Sequence, residues 1–212
     1  MRLTKLGHAC VRLELDRTTL VIDPGEFSGP DALAGADVVL VTHEHFDHLD
    51  RAALLAAARA NTDLVVVTNR AVAGQLGELG ERVLVLAHGD SVEVGGVLVR
   101  GHGEWHAPTH LPPDPVNVGF FVADEVFYPG DALTVPDRPV GTLLAPTLAP
   151  WLKSVELLDY VRRVRPTRLY STHDGMANEL GLIVVDNVVR AARGEGGGDY
   201  RRIPPGESVE IG

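Results

Sequence analysis

The chain opens with apolar and polar residues in alternation. Residues 2–6 (Arg2-Leu3-Thr4-Lys5-Leu6) and 10–15 (Cys10-Val11-Arg12-Leu13-Glu14-Leu15) both repeat at every second position, the mark of a half-buried strand. Asp16-Arg17 turns the chain into a third strand over residues 19–23, which Pro24-Gly25 ends. The pattern then changes: residues 37–42 are almost continuously apolar and β-branched, which predicts a strand covered on both faces. That strand runs directly into Thr42-His43-Glu44-His45-Phe46-Asp47-His48. Asp50 stands where the N-cap of an Ala- and Leu-rich helix over residues 51–60 should be. A buried strand over 64–68 and a short Ala/Gly-rich helix follow. From 83 to 100 the strand pattern returns, with Gly95-Gly96 as a hairpin signal. Residues 101–117 read as a loop. Strands over 116–123 and 126–128 meet at Asp124-Glu125, and Pro129-Gly130-Asp131 breaks the second. A strand over 141–145, a helix over 151–164 with Pro166 beyond it, a strand over 168–172, a helix over 182–193, a Gly-rich loop over 194–198 and a short strand over 208–211 complete the series.

Strands fall into an early and a late set, with helices in both halves. This predicts an α/β protein of two sheets with helices outside them. No linker divides the 212 residues, so one domain over residues 1–212 is expected. The two halves echo each other: Val39-Leu40-Val41-Thr42-His43 and Leu169-Tyr170-Ser171-Thr172-His173 each deliver a histidine from a strand's C-terminal end, where α/β sites often lie.

Charge narrows the partners. A formal net charge of −10 disfavours nucleic acid, which requires basic surface to replace phosphate counterions. A small-molecule substrate is expected instead, and an anionic one stays open because bound cations reverse a local field. The single cysteine, Cys10, excludes an internal disulfide and a thiolate-rich zinc site, and reads as a small buried hydrophobe. Residues 1–15 lack the apolar core of a secretory signal and no run is long enough for a membrane span, so a cytoplasmic protein is expected.

The strongest chemical signal is His43-x-His45-x-Asp47-His48: three imidazoles and a carboxylate within six residues at the end of an apolar strand. These are donors that Zn²⁺, Mn²⁺ and Fe²⁺ accept. One such histidine is ordinarily satisfied by backbone partners. Four polar groups crowded at a buried strand end are costly without a cation. Histidines one residue apart can converge on one ion, leaving Asp47-His48 to serve a second.

With this motif the sequence resembles the metallo-β-lactamase fold superfamily, whose H-x-H-x-D-H signature is complete here. Gly7-His8-Ala9, Ile22-Asp23-Pro24-Gly25, residues 128–133 (Tyr128-Pro129-Gly130-Asp131-Ala132-Leu133) and 172–176 (Thr172-His173-Asp174-Gly175-Met176) resemble one branch of it, the ascorbate-phosphate lactonase-like and related hydrolases. The resemblance implies a four-layer αββα sandwich and a two-metal site. His43, His45 and a later histidine would hold the first ion; Asp47, His48 and His173 the second; Asp131 would bridge them. Of the three histidines in the 101–117 loop, His106 best matches the later ligand. His102 is the alternative, or else an exposed loop residue, and His110 is expected to face substrate or support a ligand. Asp23 would hold a ligating imidazole or simply form a turn; His8 would border the site or pack in a strand; Asn178 and Glu179 would line the pocket. His88 reads as a surface turn residue.

The resemblance implies a hydrolase in which two divalent ions, Zn²⁺ with Mn²⁺ and Fe²⁺ as alternatives, activate a hydroxide against an ester-like bond: a lactone, a thioester or a phosphodiester. Asp47 would orient the nucleophile and shuttle its proton. The rival expectations are a metal-dependent nuclease and a non-catalytic metal- or partner-binding protein on the same scaffold. Nothing in the chain can serve as a fused flavin domain.

Overall fold

The computed structural model describes residues 1–109, 114–191 and 198–212. One sheet comprises β1 (Arg2–Lys5), β2 (Val11–Leu15), β3 (Thr18–Ile22), β4 (Val38–Val41), β5 (Val65–Thr68) and β6 (Val83–Val85). The other comprises β7 (Ser91–Val94), β8 (Val97–His102), β9 (Gly119–Val122), β10 (Val126–Tyr128), β11 (Thr142–Pro146), β12 (Arg168–Thr172) and β13 (Asp199–Arg201). The last strand, β14 (Ser208–Glu210), crosses back to the first sheet. Strand orders are β14-β1-β2-β3-β4-β5-β6 and β13-β12-β11-β10-β9-β8-β7. Each sheet mixes antiparallel meanders with a parallel stretch, β3-β4-β5-β6 in one and β10-β11-β12-β13 in the other.

Side-chain parity builds four layers. Along β4, Val38 and Leu40 point into the core between the sheets, while Val39 and Val41 point out beneath α1 (Arg51–Ala60) and α2 (Arg70–Gln75). Along β9, Phe120 and Val122 enter the inter-sheet core, and Phe121 packs outward toward α3 (Ser154–Val164) and α4 (Glu179–Ala191). A strand apolar on both faces is what this sandwich requires, each fully buried Val or Leu contributing about 1.5–3 kcal/mol. The expected αββα arrangement is thus the observed one. Asp50 caps α1 as expected, accepting from Ala53 N at 2.9 Å.

Boundaries differ where tertiary contacts compete. Residues 116–118 leave the strand because Val118 N–H donates to Thr42 O of the other sheet at 3.0 Å. α3 begins at Ser154 rather than 151, since Leu152 is held in a turn by Ala149 and Glu156 bonds back to Lys153 N. α4 begins at Glu179, three residues early. The edge strand β13, only three residues long, gave no pattern to read. Residues 194–197 of the Gly-rich loop lie outside the described residues. No helix among the described residues is long and apolar enough to cross a membrane.

Candidate metal centre

The site lies at the C-terminal ends of the parallel strands, where β3 and β4 of one sheet meet β10 and β12 of the other. Two devices bring the backbones close. Asp23 and His173, the first residues past β3 and β12, both take left-handed backbone angles (φ 49° and 58°) that turn their side chains inward. Such conformations cost non-glycine residues about 1–3 kcal/mol and persist where the surroundings dictate them. Gly25 sits against the backbone of the histidine motif: a Cβ there would lie 2.0 Å from the Asp47 carbonyl. Backbone bonds Glu26 N–Phe46 O (2.8 Å), Asp50 N–Pro24 O (2.9 Å), Ala107 N–Asp131 O (2.7 Å) and His173 N–His8 O (2.8 Å) lace these loops together.

The residues gather into overlapping clusters. His43, His45 and His106 form one; His8, Asp47 and His173 a second; His43, His48 and Asp131 a third, with the donor atoms in each within 4.8 Å of one another. Asp131 straddles them. Its Oδ1 is 3.2 Å from His48 Nε2, and its Oδ2 is 3.3 Å from His106 Nε2 and 3.1 Å from His173 Nε2. Asp47 Oδ2 is 3.3 Å from His173 Nε2 and 3.7 Å from His48 Nε2.

Outer hydrogen bonds fix which ring nitrogen faces inward. His48 Nδ1 donates to Asp23 Oδ2 (2.7 Å), His106 Nδ1 to Ala107 O (2.5 Å) and His173 Nδ1 to Leu148 O (2.7 Å). His43 Nδ1 donates to Thr42 Oγ1 (2.9 Å), whose hydroxyl donates onward to Asp23 Oδ2 (2.7 Å). Thr42 N–H donates to the other Asp23 oxygen at 2.8 Å. His48, His106 and His173 therefore keep an Nε2 lone pair for the centre, the arrangement that outer carboxylates and carbonyls impose on ligating histidines, while His43 turns its Nε2 toward His45 Nδ1, 3.1 Å away. His48 Nε2, His106 Nε2, His173 Nε2 and Asp131 Oδ1 are buried and make no hydrogen bond. Lone pairs facing carboxylate oxygens near 3.2 Å need a proton or a cation between them. The donor set therefore fits divalent metal ions.

His8 has the opposite polarity. Its Nδ1 accepts from Gly175 N–H at 3.0 Å, so its proton resides on Nε2, 3.5 Å from Asp47 Oδ2. This makes His8 a donor toward Asp47, although its position alone would admit it to a ligand cluster.

Electrostatics follow the same partition. Burial and the neighbouring imidazoles hold His43 well below the usual imidazole pKa. Burial opposes protonation of His48 as well, but the Asp131 and Asp23 carboxylates outweigh it and raise its pKa well above normal. For His173, burial opposes protonation, but the Asp131 and Asp47 carboxylates 3.1 and 3.3 Å from Nε2 outweigh it and raise its pKa to about 9. Asp131 and Asp47 are pushed far down despite burial, by His48 and by His173 respectively, and are anionic.

His43, His45, Asp47, His48, His106, Asp131 and His173 are thus brought together, with Asp23 and His8 at their backs. Three expectations need correction. His102 is neither ligand nor exposed loop: it ends β8 on the face opposite Val97 and Val99, buried with its ring 5.7 Å from that of Phe127. Asn178 does not line the pocket; it is exposed and its Oδ1 accepts from Gly181 N–H at the head of α4. Glu179, also exposed, starts that helix. His110 lies outside the described residues. Cys10 is fully buried, as expected.

Other contributors carried no legible signal. Asn117 accepts from Asp131 N–H (3.1 Å) and donates to Pro129 O (2.9 Å), clamping the turn that presents Asp131. Trp151 Nε1 donates to Asp131 Oδ2 at 3.0 Å. Behind His173, the buried Lys5 ammonium pairs with Asp174, whose other oxygen accepts from Ser171 Oγ at 2.8 Å. Isolated Asn, Trp and Lys residues announce such roles only through tertiary partners.

Similarity to known proteins agrees with this geometry. The family model for the beta-lactamase superfamily domain matches residues 2–173. The chain is 37% identical over 184 residues to Protein Rv0786c of Mycobacterium tuberculosis, covering 83% of this chain and 85% of that one. It is 32% identical over 163 residues to the UPF0173 metal-dependent hydrolase MK1542 of Methanopyrus kandleri, covering 70% of each. Its fold matches that of Igni18, a metallo hydrolase of the archaeon Ignicoccus hospitalis, with a TM-score of 0.78 at 18% identity over 98% of this chain and 97% of that one.

Proposed function

The chain belongs to the beta-lactamase superfamily and, within it, to the UPF0173 metal-dependent hydrolase family, and from that premise we propose that it hydrolyses an ester-like bond of a small molecule: a lactone, a thioester or a phosphodiester. The observation that carries this reading is the three donor clusters gathered around Asp131, with the Nε2 atoms of His48, His106 and His173 and Asp131 Oδ1 buried and without a hydrogen bond. His43, His45 and His106 would hold one divalent ion, Asp47, His48 and His173 the other, with Asp131 between. Zn²⁺ suits these donors, as do Mn²⁺ and Fe²⁺. Bound there, the ions supply Lewis acidity, which brings the pKa of a water toward about 7 and polarises the oxygen of the scissile group.

The protein's own residues do the rest. Asp47 faces the cleft, is partly exposed and is anionic, so the carboxylate oxygen not turned toward His173 can orient the attacking water, take its proton and pass it to the leaving group. The His8 Nε2–H points toward Asp47 Oδ2 from 3.5 Å and so adds a favourable charge–dipole contact without a hydrogen bond. Asn117 and Trp151 fix Asp131, and Asp23 fixes His48 directly and His43 through Thr42. A narrower placement, with the ascorbate-phosphate lactonase-like branch, rests on the Gly7-His8-Ala9 and Thr172-His173-Asp174-Gly175 stretches and would make the substrate a phosphate-bearing lactone.

Elemental analysis of freshly purified protein, then a metal-reconstituted panel of lactones, thioesters and phosphodiesters, tests the proposal. Two metal equivalents with turnover of one class are expected, and Asp47→Ala should lower that turnover at least about 100-fold. Full turnover by metal-loaded Asp47→Ala would refute the mechanism.

A further inference from the structure

The cleft over the candidate centre has a volume of about 820 Å³. Apart from Thr109 and the polar groups already described, its walls are apolar, with Phe27, Phe46, Pro108, Pro150, Trp151 and Met176 among them. Phe27 and Phe46 pack edge to face, 5.4 Å between centroids, yet remain 47% and 55% exposed, and Met176 is 51% exposed. Past Met176 the chain enters α4, whose exposed face carries Leu180, Ile183 and Val184. Among the described residues that line the cleft there is no lysine or arginine. Lys153 lines a neighbouring hollow that shares Pro108 and Trp151 with the cleft, and its ammonium is paired with Glu156 at 3.3 Å.

Sites that take phosphate-bearing ligands present guanidinium, ammonium or converging backbone N–H groups to the anion. Apolar walls with a few convergent polar groups at one end suit the reverse: the reacting group at the centre and a hydrocarbon body against the walls. Exposed aromatic and thioether side chains gain when such a body displaces water from them. Away from the metal ions, which would themselves attract an anionic reacting group, the net charge of −10 adds a repulsive background for further anionic groups on a substrate.

We propose that the substrate is an uncharged carboxylic ester, lactone or thioester with an extended apolar acyl chain or ring, seated between the Phe27–Phe46 pair and the Trp151–Met176 wall. This rests on the hydrolase reading above and narrows it away from phosphodiesters and phosphate-bearing lactones. The step balances simply. Water adds its hydroxyl to the carbonyl carbon, the acyl C–O or C–S bond breaks, and the departing alcohol or thiol takes the remaining proton.

Two measurements on the metal-reconstituted protein test the inference. The first compares kcat/KM for p-nitrophenyl acetate, butyrate, hexanoate and octanoate with that for bis(p-nitrophenyl) phosphate. A rise of about two- to fourfold per methylene is expected, from the usual gain on burying a CH₂ group, with the phosphodiester at least about 100-fold below the hexanoate. Met176→Lys should flatten the chain-length series and improve the phosphodiester. A flat series, or a phosphodiester preferred by the unaltered protein, overturns the substrate class while leaving the hydrolase reading intact. The second measurement needs no turnover. Trp105→Phe leaves Trp151 as the only tryptophan, and its fluorescence is titrated with acetate, butyrate, hexanoate and octanoate against inorganic phosphate. Affinity rising with chain length supports the inference even if every ester in the panel proves inert, an outcome that would overturn the hydrolase reading instead. Affinity independent of chain length, or phosphate binding tighter than octanoate, refutes it.

Discussion

Asp23→Asn is the sharpest test of how the centre is held. The carboxylate is fully buried and accepts three hydrogen bonds, from Thr42 N, Thr42 Oγ1 and His48 Nδ1. Asparagine keeps the shape but converts one acceptor into a donor. With its oxygen retained by Thr42 N–H, its NH₂ group faces His48 Nδ1 and Thr42 Oγ1. His48 must then accept at Nδ1 and carry its proton on Nε2, the nitrogen that should face the metal. The reversal passes through the Thr42 hydroxyl to His43. The loss is at least one hydrogen bond to a charged group, about 1.5–3 kcal/mol, or about 10- to 150-fold in an equilibrium constant at about 1.4 kcal/mol per decade. Removal of an outer partner elsewhere typically weakens metal binding about 10- to 100-fold. The assay is competition against a chromophoric chelator at pH 7.5, with urea unfolding of the metal-free protein as a control for folding. Thr42→Val should break only the His43 arm and weaken one of the two ions. Asp23→Asn protein that binds two ions with unaltered affinity would refute the tautomer argument.

Three further predictions follow from the same geometry. In metal-free protein at pH 7, His48 and His173 are protonated, so metal binding should expel one to two protons, read by calorimetry in buffers of different ionisation enthalpy. Because these folded-state values are raised, their stabilisation of the metal-free fold is complete below the unfolded value near 6.5 and is lost as pH rises through about 9 for His173; proton release should fade over the same range, and none at pH 7 would contradict the assignment. His8→Ala should slow turnover more than about 10-fold yet retain two ions, since His8 Nδ1 accepts from Gly175 N–H and leaves Nε2 as a donor; loss of one metal equivalent would make His8 a ligand. Burial pushes the Cys10 thiol from its usual 9.0 up to about 12, so the folded chain keeps a proton that the unfolded chain loses. Stability should therefore fall between pH 9 and 12 by up to about 1.4 kcal/mol per unit, and urea unfolding of Cys10→Ala should lack that component; rapid reaction of native protein with a thiol reagent would argue against it.

Pattern alone predicted two sheets with helices outside them and the crowded half of the site; the αββα layering and the assignment of His106, Asp131 and His173 rested on the family resemblance. Strands such as β4 carry apolar residues on both faces, and in water only an arrangement covered on both sides satisfies them, so covered sheets follow from local pattern. His43, His45, Asp47 and His48 were legible because they crowd six residues, and a crowd of polar groups at a buried strand end has few explanations. His102, His106 and His110 could not be ranked by spacing. Strand parity decided for His102, sending it to the helix-facing side with Phe121 and Phe127. Asn178 failed because proximity in sequence to His173 says nothing once a helix begins and its head needs a cap. The polarity of each imidazole was decided only by tertiary structure. Whether a ring offers a lone pair or a proton depends on what its other nitrogen meets: an Asp23 or Leu148 oxygen for His48 and His173, a Gly175 N–H for His8. Those partners arrive from other strands and loops, up to 167 residues away.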